Sequence, residues 1–313
     1  MQVPQNEQLV NYLNILEKKG RRYTTAADNR WGGLVTPASH ENPYKTKDGL
    51  NVALFGSWKF GYVVLETLKR YESRFPERLN LVGLVTDNPL NPDAKISKKK
   101  RIWNIIDLPI QVVDETIMIE SALIHGIPAY TGEIKIGSFH RLLRQWNPDV
   151  ILVCVFGQII DSFIIDLPPY GIYNFHPSDL ARSLGAGPRP YDDLKERNAA
   201  TTVWTVHHVS DELDKGHIVG QSPPVRVLDQ QDRLPENPFV VYEKLTEAIN
   251  PLVVSLVNEL CHRFEENLKG PVFKLDLNER IPDEIRQKLM LPVMKLDQDD
   301  LLPEPDSPVF NLI

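Results

Sequence analysis

Cysteine is nearly absent. Cys154 and Cys261 are the only two in 313 residues, which excludes a disulfide framework or a thiolate cluster for zinc and fits a reducing compartment. Long apolar runs are missing as well. No stretch approaches the ~18 consecutive apolar residues of a membrane span, and Met1-Gln-Val-Pro-Gln-Asn-Glu-Gln8 lacks the basic start and apolar core of a signal peptide. A cytoplasmic protein without membrane contact is therefore expected. His-x-x-x-His, His-Glu-x-x-His and Cys-x-x-Cys spacings do not occur, so no metal is expected. An excess of positive charge is lacking too. The net charge is −7, and all of it falls from Arg226 onward, where ten basic residues face seventeen acidic ones. Phosphate neutralisation needs Lys and Arg, so that region speaks against a nucleic-acid arm.

The rest of the composition, 42% hydrophobic and 25% charged, is that of an ordinary globular chain of one large domain or two modest ones. Leu9, Tyr12, Leu13 and Leu16 recur at helical spacing and predict a helix over 5–19, followed by a polar connecting segment over 23–48. Leu50–Ser57 is an apolar run ending in glycine, and Leu79–Val85 is a second, with a helical pattern between them. Strand, helix, strand with glycine at the first turn opens a parallel α/β sheet. A long polar loop over 86–101, a helix over 112–125, a strand at Ile127–Tyr130 and a helix at Ser138–Gln145 follow. Asp149–Gly157 is apolar throughout after its aspartate, as in a strand buried on both faces. Gly171–Phe175 is the next strand. Residues 201–209 and 218–227 read as a strand pair, and 238–268 as a covering helix. The expected fold class is α/β, an open, mostly parallel twisted sheet with helices on both faces, Rossmann-like, preceded by an N-terminal helical extension. The expected divisions are an extension and connector at 1–49, a catalytic domain at 50–228, a covering helix region at 229–270 and an acidic, irregular tail at 271–313.

Several motifs invite a function and fail to carry one. Gly56-Ser57-Trp58-Lys59-Phe60-Gly61 follows a strand, but Trp58 replaces the second glycine of a dinucleotide fingerprint, and the Lys-Ser/Thr of a phosphate loop is absent. Its glycines then serve a tight strand-to-helix turn. Lys98-Lys99-Lys100-Arg101 reads first as a solvated loop. His207 and His208 are adjacent, so on a strand they face opposite sides and cannot both serve one site. Trp103, Trp146 and Trp204 share no spacing and read as packing residues.

Asn174-Phe175-His176-Pro177-Ser178 is a different case. Asn174 and His176 are two apart, so an extended backbone sends both side chains to one side. They lie at the carboxyl end of a central strand, where α/β sheets bind ligands. A glycine- and proline-rich stretch, Leu184–Pro190, follows, and the turn Asp211-Glu212-Leu213-Asp214-Lys215-Gly216 returns a carboxylate. An amide, an imidazole and a carboxylate can move an acyl group onto an amine; a structural polar cluster is the other reading of the same residues.

The order of these pieces resembles the catalytic domain of the folate-dependent formyltransferases over roughly residues 50–268. Val153–Ile160 resembles the strand and loop that hold the pterin ring, Asn174-Phe175-His176-Pro177-Ser178 the Asn-x-His-x-Ser signature, and Asp211–Gly216 the loop of the catalytic aspartate. The resemblance implies 10-formyltetrahydrofolate as formyl donor, with Asn174, His176 and Asp214 catalytic. It implies that Val155, Phe156, Gly157, Gln158, Ile159, Ile160 and Asp211 hold the cofactor, and that Ser178, Arg182, Gly185 and Gly187 contact the acceptor. Relatives commonly continue after the serine with Leu-Leu-Pro-Lys/Arg-Tyr/Trp-Arg-Gly. Here Asp179, Ala181, Ser183 and Leu184 interrupt that pattern, and nothing after residue 268 matches the barrel with which methionyl-tRNA formyltransferases help hold tRNA. The expectation is an N-formyltransferase for a small amine acceptor such as an amino sugar. Methionyl-tRNA or glycinamide ribonucleotide formylation, hydrolysis of 10-formyltetrahydrofolate and a silent folate-binding homologue are the alternatives, and a homodimer is left open.

Overall fold

A computed structural model describes residues 17–18, 20–24, 33–37, 44–45, 48–87, 117–187, 189–275 and 281–289. Its strands are β1 (Arg22–Thr24), β2 (Gly33–Thr36), β3 (Leu50–Gly56), β4 (Leu79–Thr86), β5 (Ala129–Thr131), β6 (Val150–Cys154), β7 (Ile172–His176), β8 (Thr201–Thr202), β9 (Thr205–His208), β10 (Ile218–Gln221) and β11 (Val225–Arg226). Nine of them form one sheet in the order β1-β2-β5-β4-β3-β6-β7-β9-β10, while β8 and β11 pair separately. The run from β5 to β7 is parallel; the pairs outside it are antiparallel.

Period-two alternation explains why this sheet is buried on both faces. Val52 and Leu54 of β3 point into one apolar cluster, and Ala53 and Phe55 into the other. In β6, Val150, Leu152 and Cys154 join the first cluster, Ile151 and Val153 the second. Helix α1 (Trp58–Arg74) and the long helix α2 (Pro238–Glu265) cover the first face. Helices Gly137–Trp146 and Ser162–Ile165 cover the second. The long helix starts with Asn237, whose side chain accepts from Phe239 N at 2.9 Å, and with proline at its first position. Trp146 and Trp204 are fully buried, as packing residues. Among the described residues no helix is long and apolar enough to cross a membrane.

The chain winds outward from β3 through β4 to β5, then returns to β6 and β7 on the other side of β3. The reversal between β3 and β6 is the switch point at which an open α/β sheet leaves a crevice beyond its strand ends. The expected strands from Leu50 to Phe175 all form, within a few residues of their read limits. The strand pair read at 201–209 and 218–227 forms as two short ladders, β9 with β10 and β8 with β11. One segment differs. Residues 23–48, read as a connector, supply β1 and β2, and β2 extends the sheet beyond β5 through Gly33↔Thr131, Leu34↔Tyr130 and Val35↔Ala129. The helix expected over 5–19 lies mostly outside the described residues, with 17–18 helical. Lys98–Arg101, Trp103 and most of the tail read at 271–313 also lie outside them.

Candidate active site

The ends of β6 and β7 and the loop after β9 enclose one pocket. Val155, Phe156, Gln158, Ile159 and Ile160 form its β6 side; Asn174 and His176 its floor; Gly187, His207, Asp211 and Asp214 its far wall. Gly157 is not on the wall, and its N–H turns away from the pocket to Asp87. Ser178, Arg182 and Gly185 are also off the wall. Ser178 is buried and donates from Oγ to the Gly185 carbonyl at 3.1 Å. Arg182 is mostly exposed and pairs with Asp179 at 3.4 Å.

Asn174 and His176 face the same side of β7, and both reach Asp214. His176 Nδ1 stands 3.8 Å from Asp214 Oδ1, and Asn174 Nδ2 is 3.5 Å from the same oxygen. Asp214 enters with a left-handed φ of 54°, which aspartate tolerates better than most side chains. Its Oδ2 accepts the Gly187 N–H at 2.7 Å. The glycine-rich stretch thus approaches by its backbone. Gly185 at φ +63° and Gly187 at φ +88° occupy conformations that favour glycine, and a Cβ on Gly185 would lie 2.8 Å from Ser178 Cβ.

Hydrogen-bond direction fixes the tautomers. His176 Nε2 lies 2.8 Å from the Gly185 carbonyl. A carbonyl only accepts, so Nε2 carries the proton and Nδ1 keeps its lone pair. In the neutral ring, Nδ1 and the Asp214 carboxylate are both acceptors, which accounts for a 3.8 Å gap rather than a hydrogen bond. A proton arriving on Nδ1 finds the carboxylate already in place. Burial pushes the His176 pKa below its ordinary 6.5, against the Asp214 charge and the Gly185 carbonyl, which raise it. Burial would likewise raise the Asp214 pKa. Contacts with His207, His176 and the Gly187 N–H outweigh it and hold the carboxyl below its ordinary value. The arrangement favours a neutral imidazole backed by an ionised carboxylate, a pair chemically able to take up a proton as a general base.

His207 is the site residue that sequence reading missed. It pairs directly with Asn174 across the β7–β9 ladder. His207 Nδ1 donates to the His208 carbonyl at 2.8 Å, leaving Nε2 to accept from Asn174 Nδ2 at 3.0 Å. This contact orients the amide, with its second N–H directed only weakly, over 3.5 Å, at Asp214. His208 faces the other side and donates to Val272 O at 2.7 Å, so the two histidines do part company as adjacent strand residues must. The altered stretch after Ser178 is held in its own way: Asp179 Oδ1 accepts from Gln221 Nε2 at 2.9 Å. Among the described residues, no group of three or more His, Cys, Asp or Glu side chains is arranged to hold a metal ion.

Comparison with known proteins places this geometry in context. The family described as formyl transferase matches residues 134–236. The methionyl-tRNA formyltransferase of Ureaplasma urealyticum is 33% identical over 171 residues, 55% of this chain and 48% of that protein. That of a Thermotoga species is 27% identical over 232 residues, 74% of this chain and 62% of that protein. The chain thus spans about half the length of the first of these curated relatives. Among solved structures, a phosphoribosylglycinamide formyltransferase from Anaplasma phagocytophilum aligns with a TM-score of 0.48 at 17% identity, covering 67% of this chain and 88% of that one. Asn174, His176, His207 and Asp214 all fall inside the span matched by the formyl transferase family.

Proposed function

We propose that this protein transfers the formyl group of 10-formyltetrahydrofolate to an amine. The observation that carries the reading is the convergence of Asn174, His176 and Asp214 on one pocket, with the acceptor lone pair of His176 facing Asp214. The amine nitrogen attacks the formyl carbon, and the carbonyl becomes a tetrahedral oxyanion. The Asn174 N–H not taken by His207 donates to that oxyanion. His176 Nδ1 takes the proton lost by the amine, and Asp214 stabilises the imidazolium. The bond from carbon to folate N10 then breaks, and the imidazolium returns its proton to N10, so the ring ends neutral. Val155–Ile160 would line the pterin edge, with Asp211 at the opposite rim.

The acceptor we favour is a small amine, an amino sugar being one such compound. The acidic region from Arg226 onward supports this, because it is poorly matched to a polyanion. The names of the sequence relatives support a second reading, methionyl-tRNA as acceptor. One experiment separates the readings. The purified protein is incubated with 10-formyltetrahydrofolate and a panel of small amines, glycinamide ribonucleotide and methionyl-tRNA, and tetrahydrofolate release is followed. Release that requires a small amine supports the preferred reading, and release with tRNA alone replaces it with the second. Release without any amine means hydrolysis, and no release under any condition refutes catalysis.

A further inference from the structure

Behind the β6 loop lies a buried carboxylate that the chemistry above does not use. Asp87 is 2% exposed, at the end of β4. Its Oδ2 accepts the Gly157 N–H at 2.7 Å and the Ser57 hydroxyl at 3.1 Å. Its own N–H donates to Ser57 Oγ at 3.1 Å, and Gln158 Nε2 approaches Oδ1 at 3.4 Å. Gln158 Nε2 donates at 2.8 Å to the Gly132 carbonyl, after β5. One carboxylate thus joins the turn after β3 to the loop after β6, across the switch point, from the end of β4.

Both turns need holding. Val155 opens the β6 loop at φ +51° and Trp58 opens α1 at φ +58°. A β-branched and a bulky residue in the left-handed region persist only where surrounding contacts over-determine them. A carboxylate receiving a backbone N–H makes a charge-assisted bond, stronger than a neutral one. Gly157 is required for it, because a Cβ there would lie 2.5 Å from Asp87 Oδ2. Resting on the reading of this pocket as a folate site, the geometry points to Asp87 as a positioning residue for the donor: it sets the backbone of Val155–Ile160 that receives the pterin, without touching the reacting atoms.

The test separates donor binding from turnover. In Asp87→Ala the Kd for the stable analogue 10-formyl-5,8-dideazafolate, and the donor KM, should rise at least tenfold. The kcat at saturating donor should stay within about threefold, and amide exchange should speed up at Gly157 and Gln158 but not in β3, β4 or β6. Asp87→Asn, which keeps an oxygen for the Gly157 N–H, should recover part of the affinity. Should Asp87→Ala fail to fold, Gly157→Ala displaces the carboxylate from the other side and should raise the same KM. Unchanged Kd and KM overturn the proposal, as does loss confined to kcat or faster exchange throughout the sheet. If the wild-type chain binds no folate analogue, the proposed function fails instead. The exchange rates at Gly157 and Gln158 in Asp87→Ala then decide whether this carboxylate holds the loop.

Discussion

Asp214→Asn removes one charge from the site and almost no volume. The asparagine oxygen can still accept the Gly187 N–H, which lies 2.7 Å from Oδ2 in the wild type, so the turn should stay folded. What is lost is the attraction between the carboxylate and an imidazolium whose Nδ1 is 3.8 Å away. Both side chains are buried, at 2% and 7% exposure. At that separation and an effective dielectric of ~20, Coulomb's law gives about 4 kcal/mol, equivalent to roughly 10³ in rate if realised only in the transition state. With the amide oxygen on Gly187, the amide N–H₂ takes the place of Oδ1 and recovers none of it, so the expected loss in kcat/KM is about 10³. The pH profile supplies an independent sign. Activity needs neutral His176, so the acid limb lies below 6.5, where burial has moved the pKa. Asp214 opposes that movement; removing its charge should carry the limb to still lower pH while the plateau falls. The assay is initial-rate tetrahydrofolate release from pH 4.5 to 8.5, with thermal unfolding as the control for folding. A loss smaller than tenfold, or an acid limb that stays put, would show that Asp214 does not stabilise a charged His176.

Further consequences concern neighbouring groups. Asn174→Ala removes the proposed oxyanion donor and should lower kcat by ~10²–10³ with little change in donor KM; a dominant KM effect would assign the amide to binding. His207→Phe keeps an aromatic ring of similar shape but takes away the acceptor that orients Asn174. The kcat should fall about tenfold, the size of one neutral hydrogen bond, and unchanged turnover would make His207 a bystander. Gly83→Val tests the packing away from the site. Even a Cβ at this position would lie 2.2 Å from the Trp146 ring, so stability by thermal or urea unfolding should drop by about 1–3 kcal/mol. A variant as stable as the wild type would mean that the helix carrying Trp146 shifts freely.

The central sheet was legible because its signals are local. A strand buried on both faces must be apolar along its length, and Val150–Cys154 and the Val52–Phe55 part of β3 are. Asn174 and His176 were legible for the same reason: the pleat alone puts residues two apart on one side. What could not be read were pairings between distant short segments. Gly33–Thr36 has four residues and no strong pattern, and becomes a strand because β5, nearly a hundred residues later, offers an edge. The sequence around His207 offers only His208 as its neighbour and no metal-ligand spacing, whereas its role comes from Asn174, the residue opposite it on β7. Asp87 looked like part of a polar loop, since nothing in Thr86-Asp87-Asn88 says that Gly157 will bring an N–H to it.

By itself, then, the sequence determined the parallel core and the shared side of Asn174 and His176 on their strand, because each follows from chain geometry over a few residues, whereas the formyl-transfer reading of those residues rests on the resemblance. Only the tertiary structure decided which nitrogen of His176 donates to the Gly185 carbonyl, what orients Asn174 and what braces the Val155–Ile160 loop. Those are settled by the Gly185 carbonyl, by His207 and by Asp87, groups from other segments whose effect depends on distances of about 3 Å that no local pattern encodes.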